Sequence, residues 1–356
     1  MTWWELRLCV MIWLLIVLSS CKHSTEPPLP GPDTTSHNIA WEVDTLGNGA
    51  SILFDVAIIN DTLAYAVGQI YLHDSLGNLD PNAYNAAKWN GAHWELKRIR
   101  FIGPCVAVDY PPLMAIWAFS QKDILVTNGG SIVHYDGTNV TIECGVNSLL
   151  MGAIMKIYAV DPQDFYVVGR AGSIARSVNG TWQRLMSGTS LDVEDIYGAR
   201  NPQSGAMEIL AVASNPYSSP DRKILQISGN TVTTLSDSGI QWPLGGVWFD
   251  PGKQYYVVGS GIYQKNSLTD SRWRDDERAI TTFYAEVVRG TAENDVFVAG
   301  DFGELLHYNG STWRSYMAET TLPAGLFHAI AVKGDLIFAV GQNNPRAIVA
   351  RGRRLE

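Results

Sequence analysis

The sequence predicts an all-β protein: a seven-bladed β-propeller of four-stranded blades, closed by its N-terminal strand pairing with the C-terminal blade. Three observations predict it. First, a short apolar word recurs: AVG at 66–68, VTN at 126–128, VVG at 167–169, AVA at 211–213, VVG at 257–259, VAG at 298–300 and AVG at 339–341. The steps between their last residues are 60, 41, 44, 46, 41 and 41, and a period in the low forties is that of one propeller blade. Second, Tyr166–Trp182 (YVVGRAGSIARSVNGTW) and Phe297–Trp313 (FVAGDFGELLHYNGSTW) share Val, Gly, Gly, Thr and Trp at matching places. They read as the same pair of hairpins, in the third and sixth blades. Third, the last unit lacks an outer strand, while a spare strand of that type precedes the first unit.

Each unit opens with an apolar strand: 55–59, 115–119, 156–160, 195–199, 246–249, 286–289 and 329–332. A turn follows, often closed by aspartate (Asp61, Asp123, Asp164, Asp295, Asp335), whose carboxylate suits backbone N–H groups nearby. The AVG-type strand is small and apolar, as a strand buried on both faces should be. A third strand runs to Asn90-Gly91, Asp136-Gly137, Asn179-Gly180 or Asn309-Gly310, dipeptides that accept the positive φ of a hairpin turn. The outer strand often opens with tryptophan: Trp94, Trp182, Trp273, Trp313. In the seventh unit only three strands precede the chain end at Glu356, and residues 39–45 (IAWEVDT) match the missing fourth. Pairing the two ends removes an exposed sheet edge.

Composition agrees with a globular chain: of 356 residues, 46% are hydrophobic and 17% charged. The net charge of −9 and the absence of a basic stripe argue against nucleic acid as a partner.

The N-terminus reads as an address. Residues 1–20 are expected to be a signal peptide, because the apolar run Leu8–Leu18 falls well short of the roughly 20 residues that span a bilayer. Residues 18–21 (LSSC) resemble the bacterial lipobox. That resemblance implies cleavage before Cys21, transfer of a diacylglycerol to its thiol, and fatty acid such as palmitate in the anchor. Lys22, rather than Asp, then implies export to the outer membrane where there are two membranes. Residues 21–38 carry Pro27, Pro28, Pro30 and Pro32 and read as a semi-rigid tether, with the propeller body at 39–356. In an exported chain Cys105 and Cys144 are free to pair, or to remain two separate buried thiols.

The repeated phrase D-[IV]-x-x-x-G-x-x-G-x-[IL]-x-x-[YS]-x-G-x-x-W resembles bacterial lipoprotein propellers of the photosystem-assembly-factor and BNR-like kind, over residues 39–351. Chains of this look sometimes carry a glucosyltransferase label, but no residues here justify it. Ser177 to Trp182 departs from the spacing of sialidase Asp-boxes.

No catalytic set emerges. None of the seven histidines has metal-ligand spacing, and no nucleophile elbow, phosphate-binding loop or cofactor motif is found. His134 and His307 share a repeat position and read as structural. Asp275-Asp276-Glu277 reads as a solvated outer-strand face. The informative irregularities are insertions at 71–87 and 214–223 and the long connection 100–112, all expected on one face. Tyr71, His73, Tyr84, Tyr110 and Tyr217 would form a binding face there. Asp74, Asn78, Asp80 and Asn82 are oxygen donors around Gly77, a thin candidate for calcium without a full loop motif. The expected function is a lipid-anchored, non-catalytic module of the cell envelope that binds a protein or glycan. The alternative is a carbohydrate-active enzyme, glucosyltransferase- or glycosidase-like, using first-strand carboxylates Asp55, Glu194, Asp195 and Glu286 at the central channel.

Overall fold

The computed structural model describes residues 33–216, 218–276 and 283–355. The signal segment, Cys21, most of the proline-rich stretch, Tyr217 and Glu277 lie outside them. Seven antiparallel sheets of four strands follow one another along the chain. Their first strands are Ile52–Asn60, Ala115–Ser120, Ile154–Asp161, Val193–Arg200, Leu244–Asp250, Ala285–Ala292 and Leu326–Lys333. Each lies against the first strand of the next blade, and the seventh returns to the first, so the ring is closed. Between neighbouring sheets, apolar side chains interdigitate; Leu63, Val67 and Ala86 of blade 1, for example, pack on Ile116, Ile124 and Val133 of blade 2. This sheet-on-sheet burial supplies the cohesion of a fold with no single central core.

The closing strand is as the sequence predicts. Ile39–Leu46 pairs antiparallel with Arg346–Arg354, and Trp41 stands opposite Gly352. A Cβ at residue 352 would lie 2.7 Å from the Trp41 ring, so glycine there makes room for the indole. Contacts with blade 6 begin ahead of that strand. Thr35 donates from its N–H to Asn309 O (3.0 Å) and from Oγ1 to Asn294 O (2.7 Å), both on blade 6. The Tyr316 hydroxyl donates to His37 O, and His37 Nδ1 meets His307 Nδ1 at 3.0 Å. His307 in turn contacts Asp295, which also accepts two bonds from Arg354 at the C-terminus. Three parts of the chain thus meet at one seam. Burial pushes His37 down to about 4, with His307 and Arg314 pushing the same way. Asp295 is held below the usual carboxylate range; burial opposes this, and the bonds from His307, Thr291 and Arg354 overcome it.

Several local expectations are corrected. All four turn glycines take the expected positive φ, but only Asn179-Gly180 is a two-residue hairpin, with Val178 paired to Thr181. The others are four-residue loops (Trp89 to Trp94, Tyr135 to Val140, Tyr308 to Trp313) in which Asn90, Asp136 and Asn309 accept backbone N–H bonds. The turn between first and second strands is held by the residue before it, as with Asn60, Ser120 and Asp161. Asp164 and Asp295 instead bind Arg176 and Arg354. Asp276 is no solvated residue: it is buried and accepts the Trp313 indole N–H at 3.0 Å, joining blades 5 and 6.

Candidate binding site at the channel mouth

The recurring glycine of the AVG word explains how the mouth is built. In six of the seven blades the pairing of first and second strands slips at the same place, leaving one extra residue in the first strand. Opposite that bulge stand Gly68, Gly169, Gly259, Gly300 and Gly341. A Cβ at Gly169 or Gly341 would come within 1.9 or 1.8 Å of the carbonyl oxygen of Ala153 or Leu326. Glycine is required by this close approach of backbone. Blade 2 is the exception: Thr127, one residue before the end of the VTN word, pairs with Ala115, and no slip occurs there.

The extra residues are Phe54, Met155, Glu194, Gly245, Glu286 and His328. Met155, Glu194 and Glu286, from blades 3, 4 and 6, line one cavity of about 340 Å³ with Arg170, Asp192, Asn215, Ser218 and Tyr284. Phe54 and His328 touch each other, ring centroids 5.7 Å apart. Burial pushes Glu194 up to about 8, with the negative charges of Glu286 and Asp192 adding to the effect. Glu286 is pushed up to about 7, first by burial and then by Asp301. Neither carboxyl accepts a hydrogen bond or meets a cation within ion-pair distance among the described residues. Burial also pushes His328 down to about 4, helped by the charge of Lys156.

Next along the channel is a second cavity, about 290 Å³, lined by first strands of six blades and holding Asp55, Lys156 and Arg289. Here the charges are paired. Asp195 takes both guanidinium nitrogens of Arg289 at 2.8 Å and the N–H of Val247 at 3.0 Å, so blade 4 grips blades 5 and 6. Asp55 accepts the N–H of Ile116 at 3.1 Å and lies 3.5 Å from Lys156 Nζ, so blade 1 grips blades 2 and 3. Asp55 and Asp195 therefore act as staples between blades, leaving Glu194 and Glu286 as the open pair. Glycosidase chemistry needs two carboxyls with pKa values driven apart, one protonated and one ionised. Both of these are driven the same way by the same desolvation.

The mouth opens on the insertion-bearing face, where second-to-third loops and blade-to-blade connections emerge. Tyr71 and His73 lie in the blade 1 loop, with His73 bonded to Asn48. Tyr84 stands in the third strand (Tyr84–Trp89), so that loop is 71–83. Arg98 stacks over Tyr84 at 4.0 Å and approaches Tyr110 at 5.7 Å while pairing with Asp80 at 2.6 Å. These aromatics brace the loop. Asp74 accepts backbone N–H bonds from Leu76 and Asn78, and Asp80 accepts from the Arg98 guanidinium. The Cys105–Cys144 disulfide forms, S–S 2.07 Å, and ties the blade 1-to-2 connection to the end of blade 2.

Side chains that sequence reasoning missed complete the face. Ten large apolar residues are exposed among the described residues, and eight lie in these loops and connections: Leu76, Leu79, Ile102, Val108, Met151, Met186, Trp242 and Phe302. Only Val178, at the opposite end of blade 3, and the C-terminal Leu355 fall elsewhere. Met186 at 72% and Trp242 at 53% exposure sit in connections that carry no insertion, which is why insertions alone did not mark them.

No protein-family profile and no curated protein matches the chain. Solved structures do resemble it. A structure of YCF48 bound to D1 peptide is 17% identical, covers 93% of this chain and 100% of its own, and has a TM-score of 0.66. YCF48 from Cyanidioschyzon merolae is 16% identical over 88% of this chain and 98% of its own, TM-score 0.62. The WD40 β-propeller domain of Doa1 is 12% identical over 92% and 98%, TM-score 0.59. At these identities the likeness establishes the propeller fold.

Proposed function

We propose that this chain is a non-catalytic propeller that holds a protein partner on its insertion-bearing face, over the channel mouth, while anchored to the cell envelope through lipid on Cys21. The observation that carries the reading is the gathering of eight exposed apolar side chains on that one face. Scattered single apolar residues are ordinary, whereas a concentration on one side marks an interaction surface. The loops there are also the longest, and one is pinned by the disulfide, so the surface is presented rather than loose. A propeller that resembles this chain is described as bound to a peptide, which supports a protein ligand over a glycan. The lipobox-like LSSC and the proline-rich stretch support the anchor.

The test is capture of crosslinked envelope proteins by the purified protein. A variant lacking 72–82 and a Met186→Glu/Trp242→Glu variant should each lose the partner, while Val178→Glu on the opposite face should keep it. Undiminished capture by both face variants would overturn the reading. For the anchor, Cys21→Ser should move the protein out of the membrane fraction; unchanged membrane association sinks that part alone.

A further inference from the structure

We infer that the channel mouth is a receptor for one cationic side chain, a lysine or arginine of the bound protein, seated between Glu194 and Glu286. This rests on the protein-partner reading above and names the chemistry that the partner must present. The two carboxyls come from blades 4 and 6 and reach the same cavity because each occupies the extra residue of a bulge. Their convergence is a consequence of the backbone, not of surface scatter. Glu286 sits deep in the ring, partly open to the cavity, and its carboxyl has no hydrogen-bond donor among the described residues. A carboxyl in such surroundings is costly unless something arrives to pair with it.

The protein's own cations do not fill that role. Arg289 is held in two bonds by Asp195, and Lys156 lies against Asp55. Arg170 lines the cavity and is exposed; it eases Glu194 downward but makes no ion pair with it. Asp192 and Asp301 add negative charge from either side. Met151 and Met186, exposed in blade-to-blade connections on the same face, offer apolar contact for whatever chain carries the cation. The net charge of −9 favours a basic partner over an acidic one. The volume of about 340 Å³ suits a single long side chain rather than a folded element.

The test uses N-acetyl-arginine amide and N-acetyl-lysine amide as probes, with N-acetyl-citrulline amide as the uncharged isostere of arginine. The carboxyl ¹³C resonances of Glu194 and Glu286 are followed on the purified protein. The charged probes should shift both resonances saturably and the isostere should not. Glu194→Gln/Glu286→Gln should weaken binding at least about tenfold, and thermal unfolding of that variant shows that it is folded. Arg170→Ala should leave binding equal or tighter. An absence of saturable shifts with either charged probe, or equal binding of the citrulline isostere, overturns the proposal. Methylguanidinium binding as tightly as the arginine amide also overturns it, since the mouth would then be a small-cation site. The variant lacking 72–82 separates the two readings: if it still captures the partner but binds the arginine amide normally, the face assignment falls and the mouth assignment stands.

Discussion

Glu194 and Asp195 are neighbours in the chain, and the fold treats them in opposite ways. Asp195 sits in the channel with two guanidinium bonds and a backbone N–H, almost wholly buried and fully compensated. Glu194 is carried by the bulge one residue earlier into a cavity that it shares with another carboxyl, Glu286. One aspartate fastens three blades; one glutamate faces an opening. The difference teaches that a carboxylate's role in this ring depends on its position within the bulge rather than on its strand. It also divides the molecule energetically: charges in the channel stabilise the ring, and charges at the mouth cost stability.

The largest test of that division is Arg289→Met. It leaves Asp195 buried and uncompensated and should lower unfolding free energy by about 3–5 kcal/mol in urea titrations. Adding Asp195→Leu to the same protein should recover most of the loss, because the pair is then replaced by apolar atoms. A loss under about 1 kcal/mol for Arg289→Met would break the comparison.

The insertion-bearing face can be probed separately from the channel. Cys105 and Cys144 are separated by 39 residues, so their bond removes about 4 kcal/mol of chain entropy from the unfolded state, less any relaxation. Cys105→Ser/Cys144→Ser should lower the melting temperature by several degrees while the Asp195–Arg289 clamp is unaffected. Equal melting temperatures would mean the bond orders only the face.

At the mouth the expected sign reverses. Glu194 and Glu286 are pushed above the ordinary glutamate value, so their folded forms hold protons that the unfolded chain releases. Their contribution is full below about pH 4.5 and is lost as pH rises through 7 and 8. Glu194→Gln/Glu286→Gln should therefore stabilise the protein at pH 8, on the order of 3 kcal/mol, and change little at pH 4. Unfolding curves at the two pH values check this; destabilisation at pH 8 would mean the carboxyls have partners after all.

The seam gives the smallest effect. His37, pushed down to about 4, contributes stability above pH 6.5 that is lost as pH falls toward 4. His37 is only partly buried, so His37→Gln should flatten that acid limb by less than about 1 kcal/mol. The same variant should leave the alkaline limb unchanged, since that limb belongs to the mouth.

The fold was legible because it is written seven times. A period in the low forties, the recurring apolar word and Trp-led outer strands survive any local irregularity, and the spare strand at 39–45 identified the closure before any geometry. Turn details were legible only in type: Asn and Gly mark the loops, but whether Asn179 or Asn309 heads two residues or four depends on how the neighbouring strands pair. The carboxylates of the mouth were named among four on first strands, yet their separation into staples and open groups was invisible. A one-residue slip re-aims a side chain without leaving any trace in composition. The glycine opposite each slip was present in the sequence as the end of the AVG word, though its meaning appeared only with the carbonyl oxygen it makes room for.

The sequence by itself determined the number of blades, the strand order and the manner of closure, since these follow from periodic burial, which needs only local pattern. The tertiary structure alone decided which charges meet, which apolar residues remain uncovered and where the channel opens. Those outcomes depend on residues from different blades, brought together by the curvature of the ring.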